Sequence, residues 1–289
     1  MPYAETKDGI KIYYEEAGSG IPVVFVHEYA GDYRTWEPQM RALSRQYRCV
    51  TFSSRGYPKS DMPTDPEAYS QKIACNDVLA LMDHLAIDRA HMVGHSMGAS
   101  TILNIGLDHP HRCRSLAAAG CGWGSTPGAR EREAAQKFGH DIANMFLNEG
   151  SDVAADKYAN YLVRLQHKGK DPRGWAEFRQ WLSEHSTQGH ALTMLNLNLK
   201  RPTLYELKER LAKMQVPLLV VTGDEDDWCL DGSVMLKRTV PTAGLLVLPR
   251  SGHTITSEEP EAFNRALFEY FGSVDSGRWM THRSAFPGA

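Results

Sequence analysis

A five-residue stretch, Gly94-His95-Ser96-Met97-Gly98, carries the strongest chemical signal in the chain. It overlaps the end of a short apolar run, 90–95, and directly precedes a segment of helical period, 97–110. A serine on a sharp strand-to-helix turn has a strained backbone, and small residues two positions before and after it avoid steric clashes. The turn raises the hydroxyl above the sheet, at a helix N-terminus where developing negative charge is stabilised. The pattern therefore predicts that Ser96 is a nucleophile.

A serine nucleophile needs a general base, and the base needs an acid that orients it. In the chain order Ser, acid, His, the predicted base is His253, at the end of the last apolar run. The acid is expected after the preceding run, where the sequence reads VTGDEDDW. Asp226, three residues after Gly223, is the predicted acid, and Asp227 is the alternative.

Short Val- and Leu-rich runs must position these side chains. Their length and composition are typical of strands buried on both faces of a parallel sheet. They alternate with segments of helical period, which indicates an α/β fold with right-handed crossovers. The predicted strands are 10–18, 22–27, 48–54, 90–95, 115–121, 216–223 and 244–253, and the predicted helices of the first half are 35–46, 70–86 and 97–110.

The alternation breaks between about 126 and 213, where the pattern is helical throughout. One predicted stripe in this segment carries Val153, Tyr158, Tyr161 and Leu165. The stretch TLYE at 203–206 is typical of a capping box that opens a helix. The sequence thus predicts a core formed by 1–125 and 214–289, and a helical cap over 126–213 inserted between the sixth and seventh strands. The cap is expected to act as a lid, and a helical subdomain without a catalytic role is the alternative.

Composition excludes several classes of protein. The chain has 289 residues, 42% of them apolar, and 32 Lys+Arg against 35 Asp+Glu, which is the balance of a globular domain and not of a disordered, collagen-like or coiled-coil chain. A net charge of -3 gives no electrostatic reason to bind nucleic acid or an anionic membrane. No apolar run reaches the ~20 residues of a membrane-spanning helix. The N-terminal sequence has no signal-peptide pattern, and five separated cysteines without a C-x-x-C motif predict reduced thiols in a cytoplasmic protein.

The nucleophile turn, the acidic loop and the histidine loop follow one another in the order of the α/β-hydrolase superfamily, which the chain resembles over roughly 2–272. The resemblance is to the capped branch, which includes esterases and carbon–carbon bond hydrolases. It implies a mostly parallel central sheet flanked by helices, with an inserted helical cap. It also implies a Ser96-His253-Asp226 triad, an acyl-enzyme intermediate, a small-molecule substrate, and neither a metal nor an organic cofactor.

The same resemblance suggests the oxyanion hole. The backbone N–H groups of Met97 and Tyr29 occupy the positions that donate to the oxyanion in the superfamily. The usual His-Gly pair before the second donor is His27-Glu28 here. A carboxylate at Glu28 would oppose a developing oxyanion unless it is paired or points away.

Pocket residues are predicted on both parts of the chain. Glu28 and Trp123 would contribute from the core, and Trp175 and Phe178 from the cap. For the three aromatic residues, packing within the core or the cap is the alternative.

We expect a serine esterase acting on a mostly apolar carboxylic ester. Hydrolysis of an amide or a carbon–carbon bond on the same triad is an alternative, and so is a ligand-binding protein of the same fold. The sequence leaves open a homo-oligomer, and it leaves open whether the tail at 273–289 is loose or packs on a neighbour.

Overall fold

A computed structural model describes residues 2–279 and has an eight-stranded sheet at its centre. The central strands are apolar and fully buried, as the Val- and Leu-rich runs predict. The strands are β1 (Tyr3–Glu5), β2 (Lys11–Ala17), β3 (Pro22–Val26), β4 (Arg48–Phe52), β5 (Ala90–His95), β6 (Cys113–Ala119), β7 (Leu218–Gly223) and β8 (Ala243–Leu248).

The strand order is β1-β2-β4-β3-β5-β6-β7-β8. β2 pairs antiparallel with β1 and β4, whereas all pairs from β4 to β8 are parallel. The carboxyl ends of β3, β5, β7 and β8 therefore lie at one edge of the sheet, and the loops after them can meet there. This is the α/β-hydrolase architecture that the sequence predicts.

Helices cover both faces of the sheet. The helices outside the segment between β6 and β7 are α1 (Glu37–Leu43), α2 (Gln71–His84), α3 (Met97–Asp108), α10 (Leu230–Thr239), α11 (Ile255–Glu258) and α12 (Pro260–Asp275). One apolar layer includes side chains from α1 and α12, and the opposite layer includes side chains from α2, α3 and α10.

The segment between β6 and β7, which we call the helical insert (126–213), is helical or irregular throughout. Its helices are α4 (Ala129–Glu149), α5 (Ser151–Ala159), α6 (Leu165–Lys170), α7 (Pro172–Ser183), α8 (Thr187–Leu192) and α9 (Lys208–Leu211), and a π-helical turn follows α8 at Thr193–Asn198. Thr203 and Glu206 form the reciprocal capping box, although the regular helix starts only at Lys208.

One predicted stripe in the insert is wrong. Tyr158 is buried, but Val153 and Leu165 are exposed. The reason is that α5 ends at Ala159 and a 3₁₀ turn at Leu162–Arg164 separates it from α6, so one helical period does not run through the segment. The buried face of α5 is formed instead by Tyr158 and the small side chains of Ala154, Ala155 and Ala159.

The chain after β8 also differs from the expectation in two places. His253 lies five residues beyond the end of the strand, in a loop. The helix α12 continues to Asp275, so the predicted tail begins later than 273, and the Trp279 indole donates a hydrogen bond to the Thr242 carbonyl at 2.8 Å. The rest of that tail, 280–289, lies outside the described residues.

Across residues 2–279, no helix has both the length and the apolar composition that crossing a bilayer requires.

The turn from β5 to α3 is the most constrained part of the backbone. Ser96 has a φ of 53° and a ψ of -106°, a conformation that side-chain-bearing residues rarely adopt. The two flanking glycines lie against backbone atoms. A Cβ added to Gly98 would lie 2.0 Å from the Val26 carbonyl oxygen, and a Cβ added to Gly94 would lie 2.4 Å from the Gly98 carbonyl oxygen. Both glycines are therefore required by close approach of the chain.

We expect Gly98→Ala to destabilise the protein strongly, because backbone atoms of β3 cannot move aside without disturbing the sheet. Overpacking of this kind costs about 1–3 kcal/mol or more. Urea denaturation measures the change. Gly272→Ala is the matched control, because its added Cβ meets nothing within 4 Å on helix α12, and it should be neutral or slightly stabilising. Equal stability of the two variants would contradict this account of the turn.

Candidate active site

Ser96 lies at the carboxyl end of β5, directly before helix α3. Its backbone N–H donates to the Ala119 carbonyl at 2.8 Å, which ties the turn to the neighbouring strand β6. The hydroxyl makes no hydrogen bond with any part of residues 2–279, and the side chain is half-buried at the bottom of a cavity. A free hydroxyl in this position is available to a substrate.

The loop after β8 brings His253 to the same edge. Its Nδ1 lies 2.8 Å from Oδ2 of Asp226, which follows β7. Asp226 is fully buried, whereas Asp224 and Asp227 are exposed. The structure therefore brings the first of the two candidate acids to the histidine and leaves the alternative, Asp227, in solvent.

The electrostatic surroundings of His253 favour its protonated form. Burial by itself lowers the pKa of this histidine, but the Asp226 carboxylate outweighs burial and raises the pKa above its usual value. Glu28 adds to the rise, since its Oε2 lies 3.9 Å from His253 Nε2, while Arg164 opposes it. A positive charge that forms on His253 during a reaction is thus stabilised in place.

A second histidine supports the loop. His95 Nε2 lies 2.7 Å from the His253 carbonyl oxygen. Burial lowers the pKa of His95 to about 4, so this ring is neutral near pH 7 and its Nε2–H donates a hydrogen bond to that carbonyl. His95, next to Ser96 in the chain, therefore positions the histidine loop.

Two backbone amides close to Ser96 have no hydrogen-bond acceptor among residues 2–279. One is the N–H of Met97 at the first position of α3, and the other is the N–H of Tyr29 in the loop after β3. The Tyr29 carbonyl accepts a hydrogen bond from the Tyr57 hydroxyl at 2.8 Å. The Tyr29 hydroxyl donates a hydrogen bond to the His190 carbonyl at 3.2 Å. These bonds fix the loop that carries the second amide.

Glu28 is paired. Its carboxylate accepts two hydrogen bonds from the Arg164 guanidinium of the helical insert, one of them at 3.0 Å from Nη1 to Oε1. Burial alone would raise the pKa of Glu28, but Arg164 together with nearby His95 holds it well below its usual value. The carboxylate that could oppose an oxyanion is therefore neutralised by a residue that sequence analysis missed.

Val163, the residue before Arg164, contacts the loop that carries His253. The Val163 carbonyl accepts a hydrogen bond from the His253 backbone N–H at 2.8 Å. A further link joins the insert to the core where His185 Nε2 lies 3.0 Å from Asp32 Oδ2. The insert is thus fastened to the loops after β3 and β8 by polar contacts that are mostly buried.

The cavity above Ser96 has a volume of about 20 Å³, which holds about one water molecule. Trp123 lines it, as expected, but Trp175 and Phe178 do not. The Trp175 indole donates to the Ala159 carbonyl at 2.8 Å within the insert, and the Phe178 ring lies against the Arg164 guanidinium. The lining residues are Tyr29, Ser96, Trp123, Phe138, Ile142, Tyr158, Met194, Asn198, Arg201, Trp228 and His253.

Several of these residues could not be singled out from the sequence. Phe138 and Ile142 lie four residues apart on α4, a spacing that indicates one helix face, but their place in this cavity depends on how α4 packs over the sheet. Trp228 directly follows the acidic run and could have been suspected on that ground. No sequence signal marks Arg201 or Arg164, which lie far from the catalytic motifs along the chain.

Two groups of buried side chains bring potential metal-ligand atoms together: Glu28, His95 and His253, and Asp226, Cys229 and His253. In the first group Glu28 binds Arg164 and His95 binds a backbone carbonyl. In the second group Asp226 binds His253, and the Cys229 thiol donates to the Gly120 carbonyl at 3.1 Å. Most of these atoms are therefore already engaged in hydrogen bonds within the protein.

Comparison with known proteins agrees with this geometry. A family model described as the alpha/beta hydrolase fold matches residues 21–260. The chain belongs to the alpha/beta hydrolase family. Hydrolase chemistry is the activity that this membership supports.

The relatives cover nearly the whole chain. A protein of Azorhizobium caulinodans that carries the provisional name carbamate hydrolase RutD is 26% identical over 95% of this chain and 100% of its own. The 3-oxoadipate enol-lactonase 1 of Acinetobacter baylyi is 27% identical over 87% of this chain and 89% of its own. Among solved structures, Est816, described as an N-acyl homoserine lactone degrading enzyme, is 27% identical with a TM-score of 0.76, over 93% of this chain and 99% of its own.

We expect Asp226→Asn to lower turnover by ~10⁴, because an asparagine cannot hold the histidine in the required tautomer or stabilise its cation. The acid limb of the pH–rate profile should also move to lower pH, since the base must be neutral and loss of the carboxylate removes what raises the pKa of His253. Steady-state kinetics over pH 5–9 measure both effects. Asp227→Asn is the matched control and should behave as the wild type.

We expect Glu28→Gln to destabilise the folded protein by about 3–5 kcal/mol, because it leaves the buried Arg164 charge without a counter-ion. Adding Arg164→Met should recover part of that loss, and chemical denaturation of both singles and the double variant measures the coupling. Glu37→Gln breaks an exposed pair with Arg41 and should cost under about 0.5 kcal/mol. Strictly additive losses at Glu28 and Arg164 would contradict a direct ion pair.

Proposed function

We propose that this protein hydrolyses a carboxylic ester, open-chain or cyclic, with Ser96 as nucleophile, His253 as general base and Asp226 as the orienting acid. The observation that carries the proposal is the 2.8 Å contact between His253 and Asp226 beside a serine on a strained strand-to-helix turn. Two of the relatives named above act, by their names, on lactones, which are cyclic esters.

The reaction begins with attack of Ser96 Oγ on the carbonyl carbon of the ester, while His253 Nε2 accepts the hydroxyl proton. Asp226 accepts the Nδ1–H bond throughout and keeps the ring in the productive tautomer. The Ser96 hydroxyl and the His253 ring are not hydrogen-bonded to each other, and catalytic contacts of this kind commonly tighten when substrate binds.

In this proposal the oxyanion of the tetrahedral intermediate accepts hydrogen bonds from the Met97 and Tyr29 N–H groups, which have no acceptor within residues 2–279. One such donor is worth ~3–4 kcal/mol in comparable sites. The Glu28 carboxylate does not cancel this stabilisation, because Arg164 compensates its charge. Protonated His253 then gives its proton to the leaving alcohol, and a water activated by the same histidine cleaves the acyl-enzyme.

The helical insert, 126–213, acts in this proposal as a lid. The cavity of about 20 Å³ is too small for an ester, so the lining must move for entry and release. Four of the residues that line the cavity, Phe138, Ile142, Tyr158 and Met194, belong to the insert and are apolar or aromatic. An apolar part of the substrate would contact them while water is excluded.

We expect Ser96→Ala to remove ester hydrolysis, with a loss of ~10⁶ in turnover and no loss of stability, because alanine fits the turn but lacks the attacking oxygen. The assay is a set of 4-nitrophenyl esters of rising acyl length, together with an amide, a carbamate and a β-diketone.

Retention of near-wild-type turnover by Ser96→Ala would overturn the proposal. If the protein turns over the amide or the diketone but no ester, the proposed ester class is wrong and the compound that is cleaved indicates the substrate class. No turnover of any compound by folded wild-type protein would favour a ligand-binding function.

A further inference from the structure

The buried and half-buried arginines within residues 2–279 have carboxylate partners, with one exception in the catalytic cavity. Arg34 pairs with Asp32, Arg55 with Asp77, and Arg164 with Glu28. Arg201 forms no ion pair with any acidic residue in the described range, 2–279. A half-buried charge without a counter-ion is unfavourable, so we expect its partner to come from outside the chain.

The contacts of Arg201 hold it in place without neutralising it. Nη1 donates to the Asn198 side-chain oxygen at 3.0 Å, and Nη2 donates to the Trp123 carbonyl at 3.2 Å. A guanidinium has five N–H donors, so these two bonds leave three for another acceptor. Desolvation lowers the pKa of Arg201, but an arginine remains charged at any physiological pH.

Arg201 stands between the cavity and the surface. Together with Trp123 and Asn198 it lines both the cavity above Ser96 and an outer cleft of about 60 Å³. None of the residues that line the inner cavity is an aspartate or glutamate, and Arg201 is its one lysine or arginine. An anion that enters from the cleft would meet this guanidinium before it reaches the serine.

We propose that Arg201 is the anion-binding residue of the substrate site, and that the substrate is an ester or lactone carrying a carboxylate. A guanidinium forms paired hydrogen bonds with a carboxylate, which fixes both its position and its orientation. The ester carbonyl then lies over Ser96, and the apolar part of the molecule contacts Phe138 and Ile142. This inference rests on the proposed function, and it narrows the substrate class from carboxylic esters in general to esters that also carry a free carboxylate.

The test compares acidic and neutral esters of matched shape. On the acyl side the pair is 4-nitrophenyl hydrogen glutarate and 4-nitrophenyl pentanoate, and on the alcohol side it is 4-acetoxybenzoate and 4-tolyl acetate. Each is assayed with wild type, Arg201→Met, Arg201→Lys and Arg173→Met. Arg173 is an exposed arginine of α7 outside the cavity, so its variant removes the same charge as a control.

For at least one pair, Arg201→Met should lower kcat/KM for the acidic ester by ~10–100-fold and leave the neutral ester within about threefold, as expected for one charge-assisted contact. Arg201→Lys should restore part of the loss, and Arg173→Met should change neither ester. Equal changes for the acidic and neutral members of both pairs would overturn the inference while leaving Ser96-dependent hydrolysis intact.

A binding measurement separates this inference from the proposed function. Calorimetric titration of the wild type with glutarate needs no turnover. We expect binding that is at least tenfold weaker in Arg201→Met, with thermal unfolding confirming that the variant is folded. Unchanged affinity in the folded variant, or no binding to the wild type, would overturn the anion site even if esters are hydrolysed.

Discussion

The backbone at Ser96 is the constraint on which the rest of the site depends. A φ of 53° at a residue with a side chain is unfavourable, and it persists only because the surrounding structure leaves no alternative. Gly94 and Gly98 lie against the backbone, and strands β3 and β6 hold the turn from either side. The strain is thus balanced by the central, fully buried part of the sheet. The Ser96 hydroxyl is therefore held at the edge of the sheet where the loops after β3, β7 and β8 begin.

Those loops are held by the helical insert as much as by the core. Val163 and Arg164 are adjacent in the chain, yet one binds the histidine loop and the other binds the loop after β3. The same short segment therefore helps to position His253 and compensates the charge of the Glu28 carboxylate beside it. In the proposed mechanism, movement of this segment to admit a substrate would also displace His253, so substrate access and catalytic alignment would be coupled.

The sequence was sufficient to predict the elements that have their own local signal. Buried strands, the Gly-x-Ser-x-Gly turn and the capping box at Thr203 each follow from a few neighbouring residues, and the structure has them where they were expected. The choice of Asp226 over Asp227 depended on spacing from a strand end, which also is local. The structure brings Asp226 to the histidine.

Features that depend on packing between distant segments could not be predicted. The partner of Glu28 is 136 residues away in the chain, and nothing about Arg164 in sequence distinguishes it from a surface arginine. Trp175 and Phe178 were expected in the pocket from composition, but which face of α7 meets the core is decided by tertiary contacts. The stripe through Val153 and Leu165 failed because the chain leaves the helix at Ala159.

Covalent trapping tests the central claim, that Ser96 is a nucleophile activated at this site, most directly. The protein is incubated with a small fluorophosphonate, and the adduct is located by intact-mass measurement and peptide mapping. The account predicts one adduct per chain, on Ser96, that forms much more slowly when His253 is replaced by glutamine. An adduct at another residue, or a rate that does not depend on His253, would contradict it.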